Sequence, residues 1–401
     1  MAKVQTKQIR SQPPPAEPPA GRSRSLPKLG VLDFNPIQYH APLYQLLAQR
    51  GNVHISVLYL SDRGHRAAVD PGFGREVSWD IDMLSGYEHR FLKGGPRCRS
   101  GATRRGIKLA RWIAAHDAIV LHGYSDPWMI TAMALCRLRG VPYLLRGDSQ
   151  PYSQSSGLRR LLRDFIAGMA VSASSGCLAI GNSNHDFYRR FGGKYIVFAP
   201  YSVDNRRFAR TPSLTKKELL GRWGLSSARP VIIYCGKLYG GKRPLDLVDA
   251  AKLLSHEVTT IFVGDGVMAD TVRARIDPGC GVVTGFVNQS ELPSYYHAAD
   301  ILVLPSETEK WGLVVNEAMV AGVLPIVSDR VGAAPDLVTG VGEIYPCGNV
   351  RALADALSRG IRKLDDPTTR QAVKVRASQY SLDRTAAGFE LAALTVGRSN
   401  R

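Results

Sequence analysis

A chain of 401 residues has room for two domains with separate cores, and its 44% hydrophobic content is ordinary for a globular protein. No uninterrupted apolar run approaches the ~20 residues that cross a bilayer, and the N-terminus lacks an apolar signal core, so the expected compartment is the cytoplasm. The formal charge of +18 points to an anionic partner. Zinc-finger spacing and an aromatic RNP motif are both missing, which argues against nucleic acid. Six cysteines (Cys98, Cys136, Cys177, Cys235, Cys280 and Cys347) form no C-x-x-C pair. They read as buried thiols in a reducing compartment rather than a disulfide frame or a zinc site.

Residues 1–27 are Pro-rich and basic, cannot build a core, and read as a disordered tail. A first domain is expected over 28–208. It opens with the strand Leu29–Leu32, the loop DFNPIQYHAP, a helix over 43–49 and the strand HISVLYL. The stretch 61–95, rich in Gly, Pro and aromatics, reads as an ordered insertion. Helices over 104–115, 127–138, 158–170 and 184–191 then alternate with strands at 118–121, VPYLLRGDS, GCLAIGNS and YIVFAPYSVD. Such alternation predicts a parallel, doubly wound α/β sheet, with ligands beyond the carboxyl ends of the strands. His122, Arg146 and Asp148 fall at those ends; the last two could simply pair with each other. Basic runs, Arg97, Arg99, Arg104, Arg105, Lys108 and Arg111, then Arg159, Arg160 and Arg163, suit either a solvated face or an anionic membrane surface.

A linker over 209–229 carries a capping box, Thr215 to Glu218. The second domain, 230–380, starts with VIIYCGKLYGGKRP, a strand running into a Gly-rich loop with Lys237 and Lys242. Glycines let backbone approach a phosphate and lysines supply point charge; two solvated loop lysines are the plain alternative. Gly264, Gly266 and Ala269 mimic a dinucleotide fingerprint, but the acid expected about 20 positions on is missing, since that strand ends in Gly285, Phe286 and Val287.

The most informative stretch is ILVLPSETEKWGLVVNEAMVAG, residues 301–322. It reads as strand, polar loop and helix, leaving backbone N–H groups of Gly312, Leu313 and Val314 to attract an anion. Glu309 and Glu317 bracket that helix start. Ionised carboxylates repel phosphate but accept from sugar hydroxyls, so the combination suits a sugar nucleotide. The segment EKWGLVVNEAMVAGVLPIVSD closely resembles the E-x7-E element of retaining glycosyltransferases with the GT-B fold, family-4 type. The resemblance is strong over 231–360, fair over 116–208 and thin before 60, where DFNPIQYH replaces a glycine-rich loop.

That resemblance implies GT-B architecture: two Rossmann-like domains, the active site in their cleft, and a final segment, 381–401, crossing back to the first domain. It implies a nucleoside-diphosphate sugar as donor, a saccharide or lipid-linked acceptor, retention of configuration, and no metal or other cofactor. His122 resembles the histidine beside the donor sugar, although a lone histidine is more often structural. Lys237 and Lys242 stand where the family carries arginine and lysine on the diphosphate. Gly264 and Asp265 resemble its G-D-G turn, while Phe286 and Val287 fall where it offers backbone to the base. Glu317 would hold the ribose, Glu309 the donor sugar, and PYSVDNRRF, with Ser202 for the usual glycine, would close the first domain. The expected role is cell-surface glycan or glycolipid synthesis, working from the cytoplasm with peripheral contact at the inner membrane face. A sugar-nucleotide epimerase or hydrolase would share the nucleotide site; a non-catalytic basic binding protein would not need one.

Overall fold

The computed structural model describes residues 26–65, 68–70, 72, 75–92, 101–150, 157–254 and 257–399. The Pro-rich tail lies outside them except for its last two residues, as do Arg97, Cys98, Arg99 and the side chain of Arg159. Seven parallel strands make the first sheet: β1 (Lys28–Asp33), β2 (His54–Tyr59), β5 (Glu88–Phe91), β6 (Ala118–His122), β7 (Tyr143–Arg146), β8 (Gly176–Ala179) and β9 (Ile196–Phe198). Their order is β5-β2-β1-β6-β7-β8-β9. The short β3 (Ala68–Asp70) and β4 (Arg75–Val77) pair antiparallel in the insertion.

The second sheet, also parallel, has the order β12-β11-β10-β13-β14-β15. Its strands are β10 (Val231–Cys235), β11 (Thr259–Val263), β12 (Gly281–Gly285), β13 (Ile301–Leu304), β14 (Leu324–Ser328) and β15 (Glu343–Tyr345). Both sheets therefore reverse direction beside their first strand, between β1 and β6 and between β10 and β13. That reversal splays two βα loops apart and opens a crevice at the carboxyl ends. The architecture is GT-B.

Strands β1, β6, β7, β8, β10, β11, β13 and β14 are buried nearly throughout, since helices cover both faces of a parallel sheet. Strand β5, absent from the sequence reading, sits at an edge. Its EHRF alternates exposed and half-buried positions and shows no apolar run. The capping box at Thr215 and Glu218 forms as read, and Asn349 caps the helix Val350–Lys363. Ala334–Val338 makes a π-helical turn. Of the cysteines, Cys136, Cys177 and Cys235 are buried but Cys280 and Cys347 are only partly so, and none of these five is in a disulfide. No helix among the described residues is long and apolar enough to cross a membrane.

The last helix, Leu382–Ser399, leaves the second sheet and packs on the first. Ala386, Phe389, Ala392, Ala393 and Val396 join the core formed by Leu29, Val31 and Val120. Arg50 pairs with Glu390 at 2.9 Å and the Tyr195 hydroxyl donates to Thr395 at 3.0 Å. Ser202, standing where the family has glycine, shares a 2.8 Å hydrogen bond with Thr385 of this helix. Phe389→Ala should therefore cost the first sheet about 3–5 kcal/mol. Scanning calorimetry should show an earlier transition; an unchanged thermogram would make the helix a peripheral strap.

Candidate active site

A cavity of about 710 Å³ lies where the carboxyl ends of β1 and β10 face each other. That size suits a ligand larger than a monosaccharide. The first domain contributes residues 37–40, Trp79, Asp148 and Tyr201; the second contributes residues 235–237, Lys242, Gly264, Phe286, Val287 and residues 308–314 with Glu317.

Strand β13 ends at Leu304, and the loop after it is pinned by its neighbours. Glu307 N donates to Gly241 O at 2.9 Å and Gly332 N to Glu309 O at 2.8 Å. Gly312, at φ +94°, then caps the helix Leu313–Val320 from the left-handed region that only glycine enters freely. Val315 N is the first amide to bond back into the turn, to Gly312 O. The preceding amides head the helix toward the cavity, with its positive dipole end behind them.

Glu317 sits about one turn further on and is wholly buried. Tyr296 donates to one carboxylate oxygen at 2.7 Å; Oε1 has no hydrogen-bond partner among the described residues. Burial pushes its carboxyl up to about 7, against the opposing pull of the Tyr296 and Tyr39 hydroxyls and of Arg207. An acceptor with an unfilled place, kept out of water on the cavity wall, is built for a hydroxyl-bearing ligand. Glu309 forms an ion pair with Lys242, both half-buried. Lys237 lines the same cavity, its side chain packed against Gly72 of the insertion.

The G-D-G turn has a different local task. A Cβ on Gly264, at φ +146°, would lie 1.9 Å from Gly236 O, so glycine here lets the loops after β10 and β11 touch. Gly264 reaches the cavity wall, but Asp265 does not; its carboxylate accepts from Gly266 N at 2.9 Å. Phe286 and Val287 both line the cavity.

His122 is buried and off the cavity wall, with His40 in front of it at 4.5 Å between ring centroids. Burial holds His122 neutral, pushed down to about 3. Burial also works to raise the neighbouring Asp33 carboxyl, yet the two imidazoles and the Tyr44 hydroxyl hold it well below the usual range. His40 Nδ1 lies 2.8 Å and the Tyr44 hydroxyl 2.7 Å from Asp33 Oδ2, while Tyr44 also meets His122 Nε2 at 3.2 Å. Asp33 thus orients His40 Nδ1 inward and leaves Nε2 for the cavity. Asp33, His40 and His122 bring three ligand atoms within 4.8 Å of one another, the one such group among the described residues. Their donors and acceptors already serve this hydrogen-bonded chain.

Arg146 and Asp148 do not pair. Arg146 is buried between Tyr201 and Phe389, each 5.2 Å from its guanidinium, and donates to the carbonyls of Ala199 and Pro200. Asp148 instead reaches Lys310 across the cleft at 3.1 Å. Sequence reasoning passed over Tyr39, His40, Trp79 and Tyr201. The first two sit in DFNPIQYH, whose place at the end of β1 was the available signal.

The fold and cavity define a two-domain GT-B glycosyltransferase. The Anabaena Alr3699/HepE structure, described as a complex with UDP, superimposes with a TM-score of 0.67 at 16% identity, covering 93% of this chain and 98% of that one. Residues 229–363 match the family described as glycosyl transferases group 1. The 2-deoxystreptamine glucosyltransferase of Streptomyces kanamyceticus is 30% identical over 285 residues, 65% of this chain and 71% of that enzyme. Sulfoquinovosyl transferase SQD2 of Arabidopsis thaliana is 34% identical over 110 residues, 27% of this chain, which covers only 21% of that protein. The chain belongs to the group 1 glycosyl transferases.

Glu317 yields a pH test with a definite sign. If a nucleotide ribose sits on Glu317, its donating hydroxyls favour the ionised carboxylate, and below about 7 binding must first expel a proton. Nucleoside diphosphate affinity should rise with pH to about 7 and flatten above it. In Glu317→Gln that component of the profile should vanish, with affinity lower by about 1.5–3 kcal/mol above pH 7. Calorimetric titration of both proteins over pH 5.5–8.5 checks this. Superimposable profiles would remove Glu317 from the ligand.

Proposed function

We propose that this protein is a retaining, metal-independent glycosyltransferase that takes a sugar from a nucleoside diphosphate and passes it to a saccharide or lipid-linked acceptor in cell-surface glycan or glycolipid synthesis. The observation that carries this reading is the grouping of Lys237, Lys242, a helix N-terminus, Glu309 and Glu317 around one interdomain cavity. In this reading Lys237, Lys242 and the amides at residues 312–314 meet the diphosphate. Lys242 exchanges Glu309 for phosphate, and Glu309 is released to accept from donor sugar hydroxyls. As the glycosidic bond breaks, negative charge grows on the leaving phosphate, and fixed cations stabilise it there. The departing phosphate then helps take the acceptor proton. His40, aimed into the cleft by Asp33, faces the acceptor side. UDP in the HepE structure supports the nucleotide site, and the glucosyl transfer named for the Streptomyces relative supports transfer over an epimerase or hydrolase.

The test is product formation from nucleotide sugars with and without acceptor, in EDTA, with the anomeric configuration read by NMR. Transfer with retention should survive the chelator. Lys242→Ala should lower kcat by about 10²–10³ while donor KM changes less. Inversion, rescue of activity only by Mg²⁺ or Mn²⁺, or a parental kcat in Lys242→Ala would each overturn the corresponding part.

We further propose that the acceptor lies at an anionic membrane surface, a reading that the helix Gly157–Ser172 supports. Leu158, Leu161, Leu162, Phe165 and Met169 recur at i, i+3, i+4, i+7 and i+11, and all are exposed, Leu158 at 81% and Leu161 at 68%. An apolar stripe facing water, with Arg160 and Arg163 between its members, matches an interfacial helix. Part of that charge is offset by Asp164, which pairs with both arginines. The full-length protein should sediment with anionic vesicles, less so at high salt, and not with neutral ones. Leu161→Asp with Phe165→Asp should abolish it; equal sedimentation of this variant would return the stripe to an ordinary surface.

A further inference from the structure

The insertion between β2 and the helix Ala102–Ala114 reaches across the cleft. Asp80 receives Ser290 N through both carboxylate oxygens at 3.2 Å, and the Ser290 hydroxyl as well. In return, Asp80 N donates to Asn288 Oδ1 at 3.3 Å and Asn288 Nδ2 to Ser78 O at 2.7 Å. Residues 78 and 80 are thus tied to the second domain by bonds running in both directions, one set on each side of Trp79. The indole lies on the cavity wall with its centroid 5.8 Å from Phe286, the rings inclined at 58°.

This arrangement separates two tasks. The polar bonds of residues 78, 80, 288 and 290 hold the insertion in place, so the tryptophan is not needed to anchor it. Trp79 is only partly buried and lines the cavity. Two aromatic rings meeting at 58° form a corner, which offers a flat π-surface to one ligand face and a second ring to its edge. A nucleobase fits such a corner, and stacking on an aromatic ring is tolerant of base identity.

We propose that residues 78–80 form a clasp over the cleft and that Trp79 packs on the donor nucleobase beside Phe286, making the first domain part of the nucleotide site. This rests on the reading above that the cavity takes a nucleoside diphosphate. It assigns the insertion a role in donor binding and couples that binding to the approach of the two domains.

The full-length protein is titrated calorimetrically with UDP, GDP and inorganic pyrophosphate, which has no base. Trp79→Ala should weaken whichever nucleoside diphosphate binds the parent by about 10- to 100-fold and leave pyrophosphate unaffected. Trp79→Phe should keep most of the affinity. Asp80→Ala, which retains the ring but cuts its tether, should lose about 3- to 10-fold. Glu317→Ala is the control for the site itself. If it weakens the nucleotide while Trp79→Ala binds like the parent, the clasp is refuted and the donor site stands. If neither changes affinity, or the parent binds no nucleoside diphosphate, the donor site falls and the clasp with it. Equal loss of nucleotide and pyrophosphate in Trp79→Ala would make the ring a structural prop and refute stacking. Should Trp79→Ala fail to fold, Asp80→Ala decides, and parental affinity there overturns the proposal.

Discussion

Trp311 is where two independently twisted sheets become one site. It stands at the end of the loop after β13, buried against Gly181, Tyr201 and Tyr380. Its indole N–H donates to Asn316 at 2.9 Å, and Asn316 in turn donates to Tyr201 O at 3.4 Å. The residue just before the Gly312 cap thus helps seat the helix Leu313–Val320 on the first domain. Beside it, Asp336 accepts from the backbone and side chain of Asn182 at 2.9 and 3.0 Å and from the Tyr380 hydroxyl at 3.0 Å. A buried carboxylate is costly unless hydrogen-bonded, so this join specifies one mutual placement.

The charges of the cleft are paired or suppressed within it. Lys242 is neutralised by Glu309 and Asp148 by Lys310, while burial favours the protonated form of Glu317. Under the proposed function each arrangement would be exchanged for contacts with a ligand that is anionic at one end and hydroxylated at the other. The affinity available is then the difference between two sets of pairings, smaller than either alone. Arg146 plays no part in that exchange. Enclosed by Tyr201 and Phe389 and bonded to the carbonyls of Ala199 and Pro200, it fixes the crossover to the final helix.

Histidine chemistry is layered in depth. Neutral His122 stands behind His40, and Asp33 fixes His40 through Nδ1, so one side chain reaches the cavity and two hold it. The loop DFNPIQYH, which replaces the family's glycine-rich turn, brings Tyr39 beside Glu317 and His40 beside Asp33. The first domain thus presents side chains to the cavity where a glycine turn would offer backbone.

The sequence by itself determined the periodic and short-range features. Strand–helix alternation set two parallel sheets, Thr215 and Glu218 announced their capping box, and Glu309 with Glu317 framed a helix start whose spacing is a local fact. Those signals survive in one dimension because their interactions close within a few residues. Strand β5 escaped because an edge strand needs no apolar run, and the bond from Gly266 N to the Asp265 carboxylate is a loop detail that no period announces. Only the tertiary structure decided that Asp148 meets Lys310 rather than Arg146, that His40 screens His122, and that Trp79 meets Phe286 from the other domain. Asp148 and Lys310 stand 162 positions apart, and Asp80 and Ser290, which hold the segment carrying Trp79, stand 210 apart. Such contacts leave no period in the sequence; they follow from which loops the two sheet reversals bring face to face.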